Sequence, residues 1–278
     1  MKLSVSVSVI VIAKDEEKMI GDCLASVKWA DEIILVDSGS ADKTIEIAKK
    51  CGAKIVNFPF KKLEFAKWRN AGLKAAKGDW ILYLDADERV TPELKEEILQ
   101  AIVATPRRSA FAHHPRSRFT AYEIPRKNFY LGKEVHYGGA WPDYVKRLFL
   151  KEKLKYWKKE LHEDPIFEGK MGRLKSPFIH LTHRDLSSMV EKTKEWSKIE
   201  AKLLDEAGHP PVTWWRILRV MLTEFWCRGI KLQGLRDGVV GWIEVIFQMF
   251  SRFVTYARLW EMQHQPKAGR PLDEKDEK

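Results

Sequence analysis

Cysteine is scarce: the chain of 278 residues has three, Cys23, Cys51 and Cys227. They form no C-x-x-C pair, which argues against both a disulfide framework and a zinc ribbon. Long apolar runs are missing as well. The best candidate, Val239 to Phe250, is interrupted by Glu244 and Gln248 and ends at Arg252. A spanning helix needs about 20 predominantly apolar residues, so none is expected. There is no signal-peptide core, since Lys14, Asp15, Glu16 and Glu17 follow at once on a short Ser/Val alternation. Neither Gly-x-Gly-x-x-Gly nor a Walker A sequence is present. The position after the first strand reads Ala13-Lys14-Asp15-Glu16, which excludes a dinucleotide-binding dehydrogenase. No internal repeat of fixed period is found. Acids are in deficit, 39 against 49 bases, for a net charge of +10. An anionic partner is implied: nucleic acid, a nucleotide diphosphate or an acidic membrane surface. What is present is a 45% hydrophobic content, which excludes global disorder, and eleven tryptophans that need a place.

The first hundred residues alternate strand and helix. Strands are expected over Val5–Ile12, Glu32–Val36, Lys54–Val56 and Trp80–Leu84. Helices are expected over Glu16–Ser26, Asp42–Lys50 and Glu64–Ala76, with another opened by Thr91-Pro92-Glu93. That rhythm predicts an α/β fold with a parallel sheet and right-handed crossovers. The middle third breaks it. Thr105–Phe119, which contains His113-His114, reads as a basic loop. Strand-like pieces near Tyr122–Ile124 and Lys146–Leu150 predict a mixed or antiparallel extension of the sheet. The last third is helical, with Ser187–Ala207 ending before Gly208 and apolar segments over Val212–Ile230 and Gly238–Glu261. The expected organisation is a catalytic domain over 1–208, a helical region over 209–264 and a polar tail over 265–278.

Chemistry concentrates at strand ends, where open α/β sheets bind ligands. Asp85-Ala86-Asp87 closes the buried run Ile81-Leu82-Tyr83-Leu84. Paired carboxylates there suit a hard divalent cation such as Mg²⁺ or Mn²⁺ that shares substrate phosphates. Phosphatases of the haloacid-dehalogenase type also carry Asp-x-Asp after a strand. They place it near the domain start and favour Thr or Val where this chain has Arg89.

Several segments together resemble family 2 glycosyltransferases. In order they are Val9-Ile10-Val11-Ile12-Ala13-Lys14-Asp15-Glu16, Glu32 through Thr44, Arg69-Asn70-Ala71-Gly72 and Leu84-Asp85-Ala86-Asp87-Glu88. Ile124-Pro125-Arg126-Lys127-Asn128, Trp141-Pro142-Asp143, Arg147-Leu148-Phe149, Leu161-His162-Glu163 and Ile179 through Asp185 are similar to the branch of lipopolysaccharide inner-core β-1,4-glucosyltransferases. The chain departs from the family at Asp15, where Asn is usual, and in the basic loop.

The resemblance implies a GT-A fold: a Rossmann-like mixed sheet flanked by helices, with a C-terminal helical, membrane-associating extension. It implies an inverting, metal-dependent transfer of a sugar, glucose from UDP-glucose, to a lipopolysaccharide-core or lipid-linked saccharide. Asp37 falls where the family contacts the base, and a carboxylate accepts the N3–H of uracil. The same residue type before Ser-Gly also forms turns. Glu16, Arg69 and Asp85 are expected around the ribose and phosphates. Asp87 is expected at the metal, with His180 as a metal or diphosphate contact; in its apolar stretch Pro177–Leu181 the same histidine also reads as a core residue. Glu163 is the first choice for the base that deprotonates the acceptor, and Asp143 is its competitor.

Between Pro211 and the polar tail, seven basic residues (Arg216, Arg219, Arg228, Lys231, Arg236, Arg252, Arg258) against four acids are interleaved with Trp214, Trp215, Trp226, Trp242 and Trp260. Such helices suit an anionic headgroup layer, so a peripheral place at the cytoplasmic face of the inner membrane is expected. A packed helical subdomain or a dimer interface is the alternative. No nucleic-acid module is present, and no nucleic-acid partner is expected. Two other readings remain at this stage: an Asp-x-Asp phosphotransferase, and a peripheral membrane module with a degenerate transferase fold.

Overall fold

The computed structural model describes residues 5–59, 65–103, 119–158 and 163–265. The basic loop apart from Phe119, His113-His114, Leu161-His162 and nearly all of the polar tail lie outside these. The chain forms two compact units, Met1–Asn128 with Pro142–Leu181, and Phe129–Trp141 with Thr182–Lys278.

The first unit opens with β1 (Val7–Ala13), α1 (Ile20–Ser26), β2 (Glu32–Asp37), α2 (Thr44–Lys50), β3 (Lys54–Asn57), α3 (Phe65–Ala75) and β4 (Trp80–Asp85). Every residue of β1 is buried, as a parallel strand covered on both faces requires. Strands β3, β2, β1 and β4 lie side by side, all parallel. Helix α3 lies close against this sheet through Gly72, where any Cβ would meet Ile10 and Val36. Helix α1 starts later than expected. Residues 14–19 form a turn instead, with Asp15 at φ +53° and the Glu16 amide donating to Thr44 Oγ1 at 2.8 Å.

Beyond Asp85 come β5 (Glu88–Val90), α4 (Pro92–Val103), β6 (Phe119–Tyr130), β7 (Lys133–Glu134), β8 (Asp143–Leu150), β9 (Leu154–Lys158), β10 (Asp164–Phe167), β11 (Lys170–Arg173) and β12 (Phe178–His180). Strand β8 pairs antiparallel with both β4 and β6, and β12 lies between β6, parallel, and β5, antiparallel. The expected mixed extension is therefore present, and β6 and β8 are longer than the strand-like pieces seen in the sequence. Strands β9 and β10 form a separate antiparallel pair.

The second unit contains the tip of β6 paired with β7, joined by Leu131 and Gly132, both at positive φ as a two-residue hairpin turn demands. Its helices are α5 (Leu186–Glu206), α6 (Trp214–Glu224) and α7 (Val239–His264). Asp185 caps α5 by accepting from the Ser188 amide at 2.7 Å, within a capping box. A π-helical turn, Phe225–Lys231, continues α6. The compact units do not follow the boundary read at Gly208. Ala201 of α5, Val212 and Leu259 of α7 share one core cluster, so α5 groups with the later helices. Among the described residues no helix is long and apolar enough to cross a membrane. The chain thus has a mixed sheet flanked by helices and a helical C-terminal extension, the GT-A arrangement expected.

Candidate active site

Register brings the strand ends together. In the parallel sheet Ala13 pairs with Asp37 and Ile12 with Asp85, so both acids sit at the carboxyl edge, on the two strands that flank β1. In the extension Arg126 pairs with Asp143, Asn128 with His180, and His180 with Glu88. Strand alternation then puts Arg126 and Asn128 on one face of β6.

These positions form one connected polar network inside the first unit. Arg69, 3% exposed, donates from Nε and Nη2 to Glu163 Oε1 at 2.9 and 2.8 Å and from Nη2 to Asp85 Oδ1 at 3.3 Å. Its guanidinium also lies over the Trp157 ring, 4.9 Å from the centroid. Arg147, 4% exposed, pairs with Asp85 Oδ2 and, at 3.1 Å, with Glu88 Oε1. Glu88 is fully buried. It also accepts from the Asp85 amide at 2.9 Å and faces Arg126 Nη1 at 3.5 Å. Arg126 grips Asp143 Oδ2 through Nε at 2.9 Å and Nη2 at 2.6 Å. Asn128 Nδ2 donates to the same oxygen at 3.2 Å, and its Oδ1 lies 2.5 Å from His180 Nδ1. His180 Nε2 is 3.5 Å from Asp87 Oδ2. Burial alone would raise the Asp85 carboxyl, but Arg147, Arg69 and Arg126 outweigh it and hold that group well below the usual carboxylate range.

The structure therefore brings together Arg69, Asp85, Asp87, Asp143, Glu163 and His180. Glu16 lies in the turn that follows β1, and Asp37 is the last residue of β2. The Asp37 carboxylate accepts from Gly39 N at 2.9 Å, Ser40 N at 3.1 Å and Ser40 Oγ at 2.5 Å, the turn-forming arrangement. Oδ2 takes both backbone bonds, which occupies its two lone pairs, and the remaining acceptor capacity is at Oδ1. Four participants had no role in the sequence reading: Glu88, Arg126, Asn128 and Arg147. The available signal was a charge inside an apolar strand, as in Val145-Lys146-Arg147-Leu148-Phe149. A buried charge there demands a partner.

Among the described residues no three His, Cys, Asp or Glu side chains converge into a metal cage. Mg²⁺ and Mn²⁺ do not require one. They commonly take one or two protein ligands and complete their shell with phosphates and water. Asp87 and His180 fit that donor set.

The family model described as glycosyl transferase family 2 matches residues 8–175. An uncharacterized glycosyltransferase of Rickettsia typhi is 27% identical, covering 92% of this chain and 87% of the relative. The lipopolysaccharide core biosynthesis glycosyltransferase LpsC of Rhizobium meliloti is 24% identical, covering 96% of each. Among solved structures, glucosyl-3-phosphoglycerate synthase of Mycobacterium tuberculosis, in complex with Mn²⁺, UDP and glucosyl-3-phosphoglycerate, matches at 18% identity and a TM-score of 0.45. That match covers 75% of this chain and 82% of that one. The family match takes in all four strands of the parallel sheet, the Asp-x-Asp edge and the arginines that surround it, so the chain belongs to glycosyl transferase family 2 and is a glycosyltransferase.

Proposed function

We propose that this glycosyltransferase is inverting and metal-dependent, and moves glucose from UDP-glucose to a lipopolysaccharide-core or lipid-linked saccharide at the cytoplasmic face of the inner membrane. The observation that carries the proposal is the charge balance of the network. Arg69, Arg126 and Arg147 stand against Asp85, Asp87, Glu88, Asp143 and Glu163, a formal charge of 3 − 5 = −2. A nucleotide diphosphate brings further negative charge to the same edge. Asp87 and His180 would hold a divalent ion, whose charge would offset that of the departing diphosphate.

The chain's own groups do the rest. Arg69 occupies Oε1 of Glu163 and leaves Oε2 for the acceptor hydroxyl. That hydroxyl oxygen bonds to the anomeric carbon on the face opposite the diphosphate, and its proton passes to Glu163. The carbon–oxygen bond to the diphosphate breaks, and its electron pair leaves with UDP. Asp143 is the weaker candidate base, because three donors already converge on its Oδ2. Its carboxylate lets Asp37 accept from uracil N3–H. The name of the Rhizobium meliloti relative supports the acceptor class.

The membrane location is supported by exposure. Among the described residues, fourteen of the twenty exposed large hydrophobic side chains follow Pro211, including Trp214 at 76%, Trp226 at 62% and Trp242 at 48%. They lie on α6, α7 and the π-helical turn between them, with Leu232 just after it, and Arg219, Lys231 and Arg236 are exposed among them. A panel of UDP-, GDP- and CMP-sugars with Mn²⁺, Mg²⁺ or EDTA, scored by nucleotide release, tests the proposal. Turnover of UDP-glucose that needs metal is expected. Full turnover in EDTA refutes the metal role, and turnover of a different nucleotide alone refutes the donor.

A further inference from the structure

One buried side chain joins the competitor base to the candidate metal ligand. Asn128 lies near the end of β6, 3% exposed, between Asp143 and His180. The orientation of its amide follows from what Asp143 can do. Arg126 holds that carboxylate through two nitrogens, and an ionised carboxylate only accepts. The amide must therefore turn its NH₂ toward Asp143, which points its carbonyl oxygen at His180. A carbonyl oxygen also only accepts, so the proton of the neutral imidazole belongs on Nδ1. The ring then presents its lone pair at Nε2, the atom 3.5 Å from Asp87 Oδ2.

We propose that Asn128 is a positioning residue: it relays the orientation of Asp143 to His180 and fixes the tautomer in which Nε2, together with Asp87, can hold a divalent cation. Only the last step rests on the metal-dependent reading. Strand pairing builds the relay in, since Asn128 pairs with His180 across β6 and β12, and Arg126 with Asp143 across β6 and β8. The end of β12 is fixed beside Asp87 as well, because the Leu181 amide donates to the Asp87 carbonyl at 2.8 Å. Partners of this outer kind set ring orientation and typically change metal affinity by about 10–100-fold.

The test is imidazole ¹⁵N NMR of the full chain without metal, with His180 assigned by its loss in His180→Gln. The wild-type ring should show the Nδ1–H pattern. Asn128→Leu should shift it toward Nε2–H and weaken Mn²⁺ binding in the presence of UDP by about 10–100-fold in calorimetry. A wild-type Nε2–H ring overturns the relay, and so does an Nδ1–H pattern that survives Asn128→Leu. If that variant does not fold, the wild-type spectrum and Asn128→Asp decide. Asn128→Asp keeps an acceptor facing His180 and should retain Nδ1–H; a shift to Nε2–H overturns the relay. An Nδ1–H ring in a wild-type chain that binds no Mn²⁺ upholds the relay and refutes the metal-dependent reading instead.

Discussion

Arg147 is the side chain on which the strand-end network depends most, and replacing it gives a sharp expectation. Its Nη2 serves Asp85 and Glu88 at once, and the side chain is 4% exposed. Arg147→Met keeps most of the aliphatic stem and removes the charge. Removing one partner of a buried ion pair costs about 3–5 kcal/mol, because the other charge stays buried without compensation. Here the compensation is lost only in part. Glu88 keeps the Asp85 amide at 2.9 Å and Arg126 at 3.5 Å, and Asp85 keeps Arg69 at 3.3 Å. The low end applies, about 3 kcal/mol, equivalent to a Tm lowered by roughly 6–12 °C in a chain of this size. Thermal and urea unfolding of the ligand-free protein measure it. Adding Glu88→Gln removes the charge left stranded, so the double variant should be more stable than the sum of the single effects predicts, by about 1–3 kcal/mol. A Tm for Arg147→Met within about 2 °C of wild type, or strict additivity in the cycle, refutes the buried-network account.

The two acids of Asp-x-Asp should behave differently. Asp85→Asn should lower Tm by releasing Arg69 and Arg147, whereas Asp87→Asn should leave Tm nearly unchanged and abolish Mn²⁺-dependent UDP binding by calorimetry. Glu163→Gln should reduce kcat by about 10²–10⁴-fold with little change in donor KM, and Asp143→Asn should not reproduce that split in steady-state kinetics. The chain should sediment with anionic phospholipid vesicles, less so in high salt, and Trp214→Ser with Trp242→Ser should weaken that binding several-fold in the same assay. Burial tends to raise the Glu32 carboxyl, but hydrogen bonds from Ser8 Oγ at 2.6 Å and Lys77 N at 2.8 Å, with nearby lysines, bring it below its ordinary value. A depressed carboxyl stabilises the fold above its unfolded pKa of about 4.3 and loses that contribution as pH falls below it. The stability gap between wild type and Glu32→Gln should therefore narrow between pH 6 and pH 3 in urea titrations.

Much of the first unit was legible because its signals are local. Burial of β1 and β4 on both faces leaves unbroken apolar runs in the chain. The Asp-x-Asp edge was legible for the same reason, since an apolar run that stops at two acids marks a strand end. The extension was harder. Residues 164–173 hold β10 and β11, two strands of four residues each, with Pro165 and Gly172 weakening any alternation. The late start of α1 was hidden because it depends on Asp15 at positive φ and on Thr44, 28 residues away. Arg147 and Asn128 had no visible role for a related reason. Their partners are assigned by register between β6, β8, β12 and β5, and register is not written within any one strand. The tryptophans after Pro211 were located correctly along the chain, but which of them face solvent depends on how α5, α6 and α7 pack.

Within the site, the carboxylates fall into two classes. Asp85, Glu88, Asp143 and Glu163 each have an arginine at ion-pair distance. Three arginines offset most of their charge before any substrate arrives, so they shape the strand end more than they add net field. Asp87 is different, because it faces an imidazole whose far side is tied to Asn128. A site built from uncompensated carboxylates would repel a diphosphate, and one built from arginines alone would hold the product as tightly as the donor. Pairing four acids with three arginines and leaving Asp87 beside His180 avoids both extremes. The arginines restrain the carboxylates, and Arg69 Nη1 and Arg147 Nε have no hydrogen-bond partner among the described residues. On these grounds the functional unit is the pairing of β6 with β8 and β12 as much as the Asp-x-Asp sequence itself.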